Sequence, residues 1–274
     1  MGRFNFSYKS TYKAPESIIF LKNYQLNSYR SFRQGTENIQ FPKSNLFRFY
    51  YKWANELESQ AFTFRTQYVT SSGRYSTANL IGQDLVLSSY RFVDSGDRIS
   101  GSLNFTSYYQ KLNLSTNFRT TQNWSTTPLQ ANSPGFNILK NYSASYLFSG
   151  TTYFDLPVNF GFEINLNRSQ SEFNGVRSNT SWENSALDIT YTLSKEWHAS
   201  FNNELYQMEN NSYYFLGSTI NYQPNESNFS YRLRMNNLLD ENSFASTVID
   251  EYITYTSRVE LLPRYLLLSM KYRF

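Results

Sequence analysis

The chain of 274 residues contains one histidine, His198, beside residue types that serve in hydrolases. His198, Ser200 and Glu204 are separated by even spacings, so an extended segment places them on one side. A serine nucleophile needs its base within hydrogen-bond reach. The segment offers no identifiable oxyanion donor or orienting carboxylate, and catalysis requires all of these groups together. We therefore predict that the protein is not an enzyme.

Metal chemistry has no better basis in the sequence. The chain has no cysteine, and its carboxylates are dispersed rather than clustered at ligand spacing. The run Asp94-Ser95-Gly96-Asp97 contains oxygen ligands suited to calcium, but Asp and Gly are also ordinary residues of a turn between strands. We predict neither a metal nor a cofactor.

Alternation of apolar and polar residues is the dominant pattern of the chain. Period two predicts strands with two unlike faces. One face of the clearest stretch carries three Asn and a Glu, which are costly to bury in a dry core, so that face is predicted to be wet. In this stretch Val158, Phe160, Phe162, Ile164 and Leu166 alternate with Asn159, Gly161, Glu163, Asn165 and Asn167.

The same alternation ends the chain at Arg264–Phe274. Phe274 is the last residue, with an aromatic residue two positions earlier and charged residues between the apolar ones. This ending resembles the terminal strand of bacterial outer-membrane β-barrels, where the pattern is read by the barrel-assembly machinery during insertion. The predicted insertion signal consists of Leu266, Leu268, Met270, Tyr272 and Phe274.

Composition agrees with strands at a membrane. Charged residues make up 17% and the mean hydropathy is −0.57, while 24 Tyr and 23 Phe supply most of the aromatic content. No stretch reaches the roughly 18 to 20 apolar residues of a spanning helix, so a spanning chain must form a closed barrel. The net charge of +4 is spread along the chain and gives little support for nucleic-acid binding.

We therefore predict an all-β fold, namely a transmembrane antiparallel up-and-down β-barrel of the outer-membrane type. Counting the alternating segments gives about fourteen strands, an even number as such barrels require. The weakest candidates are Ile81 to Phe92 and Ile249 to Val259. We predict that residues 1–274 form a single barrel domain, in which no plug is present. The alternative is a soluble β-sandwich, in which strands of two sheets also alternate.

The connections are predicted to be of two kinds, as in membrane barrels with short periplasmic turns and longer outer loops. Short ones lie at 194–196 and 223–226. Trp53, Trp182 and Trp197 are predicted at strand ends, where an aromatic girdle lies. The long polar connections are predicted at about Lys13 to Ser44, Ser125 to Gly135, Ser169 to Thr180 and Asp240 to Val248.

Charges on the wet face are candidates for the lining of a pore. They can tune what passes through it, or pair across neighbouring strands and only solvate the interior. The predicted lumen-facing residues are Arg65, Arg119, Glu163, Glu204, Arg232 and Arg234.

Two short elements of the sequence follow the pattern of a known family. Tyr12-Lys13-Ala14-Pro15, followed by a loop with Gly35, Asn38 and Pro42, is similar to the strand end and Gly-Asn-Pro loop of TonB-dependent outer-membrane transporters of the Bacteroidota type. It departs from the family pattern because the first proline is absent and Lys43 follows Pro42. Asn237-Leu238-Leu239-Asp240 is similar to the family's Asn-Leu-Phe-Asp/Asn element of the penultimate strand.

The resemblance implies that the chain is the C-terminal barrel part of a receptor that takes up a scarce solute across the bacterial outer membrane. Export requires a signal peptide, and Met1–Tyr8 lacks its apolar run, so either the signal was trimmed or the chain continues a longer protein. The implied partners are outer-membrane lipid, the barrel-assembly machinery, TonB through N-terminal parts, and a surface lipoprotein, but no nucleic acid. The alternatives are a plugless channel of fourteen strands and a structural or docking barrel in an envelope assembly.

Overall fold

The computed structural model of the chain describes residues 2–93, 96–132, 135–208, 211–249 and 254–273. Within these ranges the chain is mostly strand, with 3-10 turns at Ser17–Phe20 and Gln110–Leu112. No helix in these ranges is long and apolar enough to cross a membrane. In chain order the strands are β1 Gly2–Tyr12, β2 Gln25–Ser28, β3 Ser31–Gln34, β4 Lys43–Asn55, β5 Gln60–Ser71, β6 Arg74–Ile81, β7 Val86–Val93, β8 Arg98–Tyr109, β9 Leu114–Ala131, β10 Asn137–Thr152, β11 Val158–Phe173, β12 Val176–Thr192, β13 Trp197–Met208, β14 Asn211–Tyr222, β15 Phe229–Asn236, β16 Ser243–Ile249, β17 Thr254–Glu260 and β18 Tyr265–Tyr272.

A single antiparallel meander, here called the wall, organises the molecule. The main sheet has sixteen strands, and four of them (β2, β3, β6 and β7) branch from its path, which leaves twelve in the wall. Their order is β1-β4-β5-β8-β9-β10-β11-β12-β13-β14-β15-β18. The prediction of an all-β, antiparallel, up-and-down fold is confirmed. The two weakest of the fourteen strand candidates lie outside the wall, in β7 and in the β16–β17 hairpin.

The two sides of the wall differ in chemistry over most of its length. On one side, here called the apolar face, many cross-strand neighbours are aromatic or aliphatic, as in Phe4 opposite Tyr51 and Phe148 opposite Ile164. The other side, the polar face, carries pairs such as Ser149 opposite Glu163. Each large aromatic pair on the apolar face stabilises its strand pair by roughly 0.2–1 kcal/mol. The hydrophobic pattern thereby sets the register, since a slip by one residue would exchange the faces.

The apolar residues form a band that crosses the strands obliquely. Following cross-strand partners from Phe6 in β1 through each strand in turn leads to Ser181 in β12. The apolar residues of β12, however, begin only at Leu187, six residues further along the strand. The apolar band is therefore inclined to the line that joins cross-strand partners. Strands that are tilted with respect to a flat apolar layer produce this offset, and tilt is required when a sheet closes into a barrel.

At one end of the wall every connection between wall strands is short, whereas the other end carries the three long connections as well as short ones such as 174–175. Short turns at 56–59, 110–113, 153–157, 193–196 and 223–228 share one end. The long connections 13–42, 72–97 and 237–264 lie at the opposite end, called the loop end. Because the wall has an even number of strands, β1 begins and β18 ends at the short-turn end, as in outer-membrane barrels.

Two long connections predicted from the sequence are wrong. Residues 169 to 180 belong mostly to β11 and β12, which join through a two-residue turn at Asn174 and Gly175 with positive φ at both. This is the geometry of a type I′ hairpin, for which Asn-Gly is the preferred pair. Residues 125 to 131 likewise continue β9. Their polar residues extend the strands beyond the apolar band toward water.

The connections 13–42 and 72–97 fold together into a structure here called the cap. Its strands follow the order β2-β3-β7-β6, and β6 pairs in parallel with the upper end of β9 at Ala78 and Gln130. Two of the buried apolar side chains, Ile19 and Ala78, belong to the cap, and Leu129 and Leu139 lie at the same end of the wall. The described part of the chain therefore has its small dry core at the loop end.

Candidate functional site

The register places all six predicted pore-lining charges on the polar face. Cross-strand pairs show this directly, since Arg65 lies opposite Ser102, and Glu163 lies opposite Ser149 and Ala186. Further along the wall, Glu204 is opposite Ala186 and Phe215. Their role in tuning passage stays a prediction. The remaining three are Arg119 opposite Asn104 and Leu147, Arg232 opposite Asn221 and Ser269, and Arg234 opposite Thr219 and Leu267.

None of these six charges belongs to an ion pair in the described part of the chain, and Arg65, Arg232 and Glu204 contact uncharged groups. The Arg65 guanidinium carbon lies 5.2 Å from the centre of the Tyr50 ring, and Arg232 Nε donates to Asn221 Oδ1 over 2.8 Å. Glu204 Oε2 accepts a hydrogen bond of 2.9 Å from the Tyr206 hydroxyl. The described ion pairs join other residues, such as Lys22 with Glu37 and Arg264 with Asp240.

His198 also lies on the polar face, as its alternation predicts, but it is not part of a catalytic cluster. Its Nδ1 lies 3.3 Å from Thr192 Oγ1. Ser200 pairs with Thr190 and Thr219. Glu204 is six positions along the same strand from His198, which corresponds to roughly 20 Å. The three residues therefore do not form a nucleophile, base and orienting acid.

No group of three metal-binding side chains converges within the described ranges. Of the run 94–97, residues Asp94 and Ser95 lie outside the described residues. Asp97 donates its backbone N–H to Thr126 Oγ1 over 3.0 Å, and its carbonyl oxygen accepts the Thr126 N–H over 2.9 Å. Asp97 thus continues the β8–β9 ladder, which is a structural role.

A chamber of about 900 Å³ lies between the cap and the polar face at the loop end. Its size is that of a binding site for a small or medium solute. Its lining mixes both charges with amide, hydroxyl and aromatic groups. The residues that carry these groups include Lys13, Glu16, Gln67, Arg74, Tyr75, Tyr90, Asp97, Arg98 and Asn123.

The β6 strand positions two of the lining residues of the chamber. Arg74 Nη1 donates to Thr127 Oγ1 over 3.3 Å, and the Tyr75 hydroxyl donates to the backbone carbonyl oxygen of Asn38 over 3.2 Å. The Tyr75 ring meets Phe92 edge to face at 5.3 Å. Burial lowers the pKa of the Arg74 guanidinium, but an arginine remains charged at neutral pH. The sequence did not single out Arg74 or Tyr75, because only the folded cap brings them to the wall.

A second chamber of about 640 Å³ lies on the polar face of β13 to β15 and β18. Glu204, Arg234 and Glu260 contribute charges to it, so two of the predicted lining residues share one cavity. Beside it the β16–β17 hairpin folds against the polar face. The Phe244 ring lies 4.9 Å from Tyr213, whose hydroxyl accepts the Ala245 N–H over 3.2 Å.

The Asn237–Asp240 element clamps the two ends of the connection 237–264. Asn237 Nδ2 donates to the carbonyl oxygens of Glu241 and Leu262, both over 2.8 Å. Asp240 accepts the Arg264 backbone N–H over 3.0 Å and the Arg264 guanidinium over 3.3 Å. Both Asn237 and Asp240 have positive φ, 52° and 62°. The element therefore fixes where the connection leaves β15 and enters β18.

The Asp240 clamp should resist acid down to the ordinary range of an aspartate. The backbone N–H and the guanidinium of Arg264 hold the pKa of the Asp240 carboxyl below its ordinary value. Because the folded pKa is lowered, the clamp is at full strength above the ordinary pKa and is lost only as pH falls through the lowered value. We expect Asp240→Asn to weaken the clamp at neutral pH.

Limited proteolysis of the connection 237–264 measures this effect. Cleavage of Asp240→Asn at pH 7 should be about two- to threefold faster than in the unchanged chain, in keeping with a partly exposed pair. Asp155→Asn, in the short turn 153–157, is the control and should leave the rate unchanged. Equal rates in all three proteins would contradict the clamp.

Of the predicted insertion signal, Leu266, Leu268, Met270 and Tyr272 lie on the apolar face in register with Met235, Leu233, Tyr231 and Phe229. Phe274 lies outside the described residues. The girdle prediction holds in position for Trp53 and Trp197, which lie near the short-turn ends of β4 and β13. It is wrong for Trp182, which is inside β12 and on the polar face opposite Asn167.

No family model matches the chain, and no curated protein matches it. Two solved structures are similar over the whole of this chain. One is the crystal structure of the Pseudomonas putida toluene transporter TodX, with 7% identity, 78% of that chain covered and a TM-score of 0.32. The other is the TodX deltaS2S3 mutant monoaromatic hydrocarbon channel, with 9% identity, 79% of that chain covered and a TM-score of 0.33.

Proposed function

We propose that the chain forms the wall of a transmembrane β-barrel in the bacterial outer membrane, through which a solute is taken up. The observation that carries this proposal is the difference in charge between the two faces in the part of the wall that carries the apolar band. The apolar face carries charges only toward the loop end, whereas Arg65, Arg119 and Glu163 on the polar face lie beside its aromatic residues in sequence. A lipid layer outside and water inside are the environments that suit these faces.

The soluble β-sandwich fits this structure less well. A sandwich covers its apolar face with a second sheet, whereas the apolar face of the described wall has no layer over it. Phe4 is 79% exposed and Leu268 is 67% exposed, each on an edge strand of the wall. Water against such a surface costs roughly 25 cal/mol for every Å², and soluble monomers seldom expose apolar patches beyond a few hundred Å².

The finer proposal is the barrel part of a TonB-dependent receptor. Two family-like elements of the sequence occupy strand exits at the loop end, Tyr12–Pro15 after β1 and Asn237–Asp240 after β15. In addition, β1 pairs only with β4 and β18 only with β15 among the described residues. Unpaired backbone groups are costly in lipid, so the outer edges of β1 and β18 require strand partners. A larger barrel supplies them from further strands.

The second candidate is a self-contained channel in which β1 and β18 pair with each other. The even number of wall strands, with both ends at the short-turn end, favours this candidate. The structural or docking barrel differs from both because its interior is sealed to solutes.

Two measurements on the chain refolded into liposomes separate these alternatives. A spin-label pair at Ser7→Cys and Ser269→Cys reports whether β1 lies beside β18, since paired strands are about 4.8 Å apart. A distance typical of adjacent strands supports the self-contained channel, and a much longer one supports the larger barrel. Osmotic swelling with small sugars detects an open interior. A chain that stays monomeric and soluble without detergent would overturn the membrane assignment.

A further inference from the structure

The polar face is much more basic than the whole chain. Across β1, β4 and β5 it carries five cationic side chains and, in these described strands, no carboxylate. Across β15 and β18 it carries three more, again without a carboxylate in their described residues. The first group is Arg3, Lys9, Arg48, Lys52 and Arg65, and the second is Arg232, Arg234 and Lys271. The carboxylates Glu163, Asp188 and Glu204 lie in the middle of the wall, on β11 to β13.

These cations are solvated rather than paired with carboxylates within the described ranges, although Arg234 shares the second chamber with Glu204 and Glu260. All eight side chains are exposed, and none belongs to an ion pair in the described part of the chain. The ring of Tyr50 and the amide of Asn221, which contact Arg65 and Arg232, carry no charge. The polar face therefore keeps a positive potential near both edges of the wall, at β1, β4 and β5 and at β15 and β18.

The cations also lie at the depth of the apolar band. Arg48 is between Phe47 and Phe49 in β4, and Arg232 is between Tyr231 and Leu233 in β15. Charges inside a slab of low dielectric focus the field into the aqueous space between the walls. Arginine and lysine are costly at this depth unless they face water, so their placement suits a wet pathway.

We infer that the solute of this pathway is an anion bearing carboxylate or phosphate groups; this inference rests on the proposed transport function. Guanidinium groups donate paired hydrogen bonds that match the oxygens of these anions. A row of solvated cations raises the local concentration of anions and repels cations. The cap chamber continues the same bias, because Lys13, Arg74 and Arg98 line it together with Glu16 and Asp97.

The absence of cysteine from the chain permits a direct test with single reporter thiols. Ser102→Cys places a thiol on the polar face opposite Arg65 and Thr121. Ser169→Cys is the control on the same face but beyond the apolar band, where its partners Ser143 and Thr180 are uncharged. Each variant, in liposomes, reacts with an anionic and with a cationic methanethiosulfonate of similar size, and the ratio of the two rates cancels differences in thiol reactivity.

We expect the ratio of anionic to cationic rates to be about tenfold higher at Ser102→Cys than at Ser169→Cys. The added substitution Arg65→Gln should lower it, and so should 1 M salt, where the screening length is about 3 Å. Equal ratios at both sites, with both thiols reactive, would overturn the anion preference and leave the wet pathway intact. Unreactive thiols at both sites would overturn the proposed function itself, most directly if Leu103→Cys on the apolar face reacts instead.

Discussion

Replacing Ile164 by arginine is expected to destabilise the protein by about 2–4 kcal/mol, the cost of an arginine on the lipid face of a barrel near the middle of the membrane. Ile164 lies on the apolar face of β11, opposite Phe148 and Ser185. Its neighbour Glu163 lies on the polar face, so Glu163→Arg introduces the same side chain one residue away. We expect that change to be within about 0.5 kcal/mol of neutral, as for surface substitutions in water.

Unfolding by denaturant in liposomes, followed by tryptophan fluorescence, gives both free energies. Ile164 is 43% exposed. In a water-soluble protein, an arginine at such an exposed position would change the free energy of unfolding only slightly. The difference in unfolding free energy between the two variants therefore reports whether lipid or water contacts the apolar face. Equal and small effects would show that water, and not lipid, covers Ile164.

The second large effect is expected at Gly35 in the cap. The backbone of Gly35 approaches the segment 19–21 closely, and its N–H donates to the Leu21 carbonyl oxygen over 2.7 Å. A Cβ at this position would lie against the backbone carbonyl of Ile19 and 2.7 Å from the Leu21 oxygen. Backbone atoms have little room to give way, so we expect Gly35→Ala to destabilise the cap by about 1–3 kcal/mol.

Limited proteolysis resolves this effect from the stability of the wall. Cleavage within 13–42 should rise about tenfold in Gly35→Ala, since each 1.4 kcal/mol is a factor of ten in an opening equilibrium. Gly82→Ala is the matched control in the same cap, because its Cβ would meet only the Leu85 oxygen at an ordinary 3.4 Å. Unchanged cleavage of Gly35→Ala would show that the cap does not depend on this contact.

Period-two alternation was sufficient to predict the wall. Each strongly alternating segment, from Phe4–Tyr8 to Leu266–Tyr272, is a wall strand with its apolar residues on one face. The same rule assigned Arg65, Glu163 and Arg232 to the polar face without knowledge of the pairing. This works because a strand places successive side chains on opposite sides whatever its neighbours are.

The pattern loses its information where strands leave the apolar band. In β11 after Leu166 and in β12 before Trp182 the residues are polar on both faces, apart from Phe173 and Val176 beside the turn. The polar sequence alone therefore predicts a loop there. The pair Asn174-Gly175 is a strong hairpin signal that could have located the turn. Strand ends surrounded by water on both sides have no reason to alternate.

The cap and its chamber depend on pairings that local sequence does not encode. The β6–β9 contact joins residues about fifty positions apart in a parallel ladder of two residue pairs, Ala78 with Gln130 and Asn79 with Ala131. Arg74 and Tyr75 become lining residues only through this docking. The consecutive apolar residues Leu85, Val86 and Leu87 interrupt the alternation in Ile81 to Phe92, which makes this segment a weak strand candidate. In the structure Leu85 precedes β7, and Val86 and Leu87 are its first two residues.

A nitroxide scan of β11 in liposomes tests the central claim, that the apolar face meets lipid while the polar face meets water. Single labels at each position from Val158 to Leu166 are measured for collision with oxygen, which concentrates in lipid, and with a water-soluble nickel chelate. Oxygen contact should peak at Val158, Phe160, Phe162, Ile164 and Leu166, and nickel contact at the four positions between them. Peaks of both probes at the same residues, or nickel contact throughout, would contradict the membrane wall.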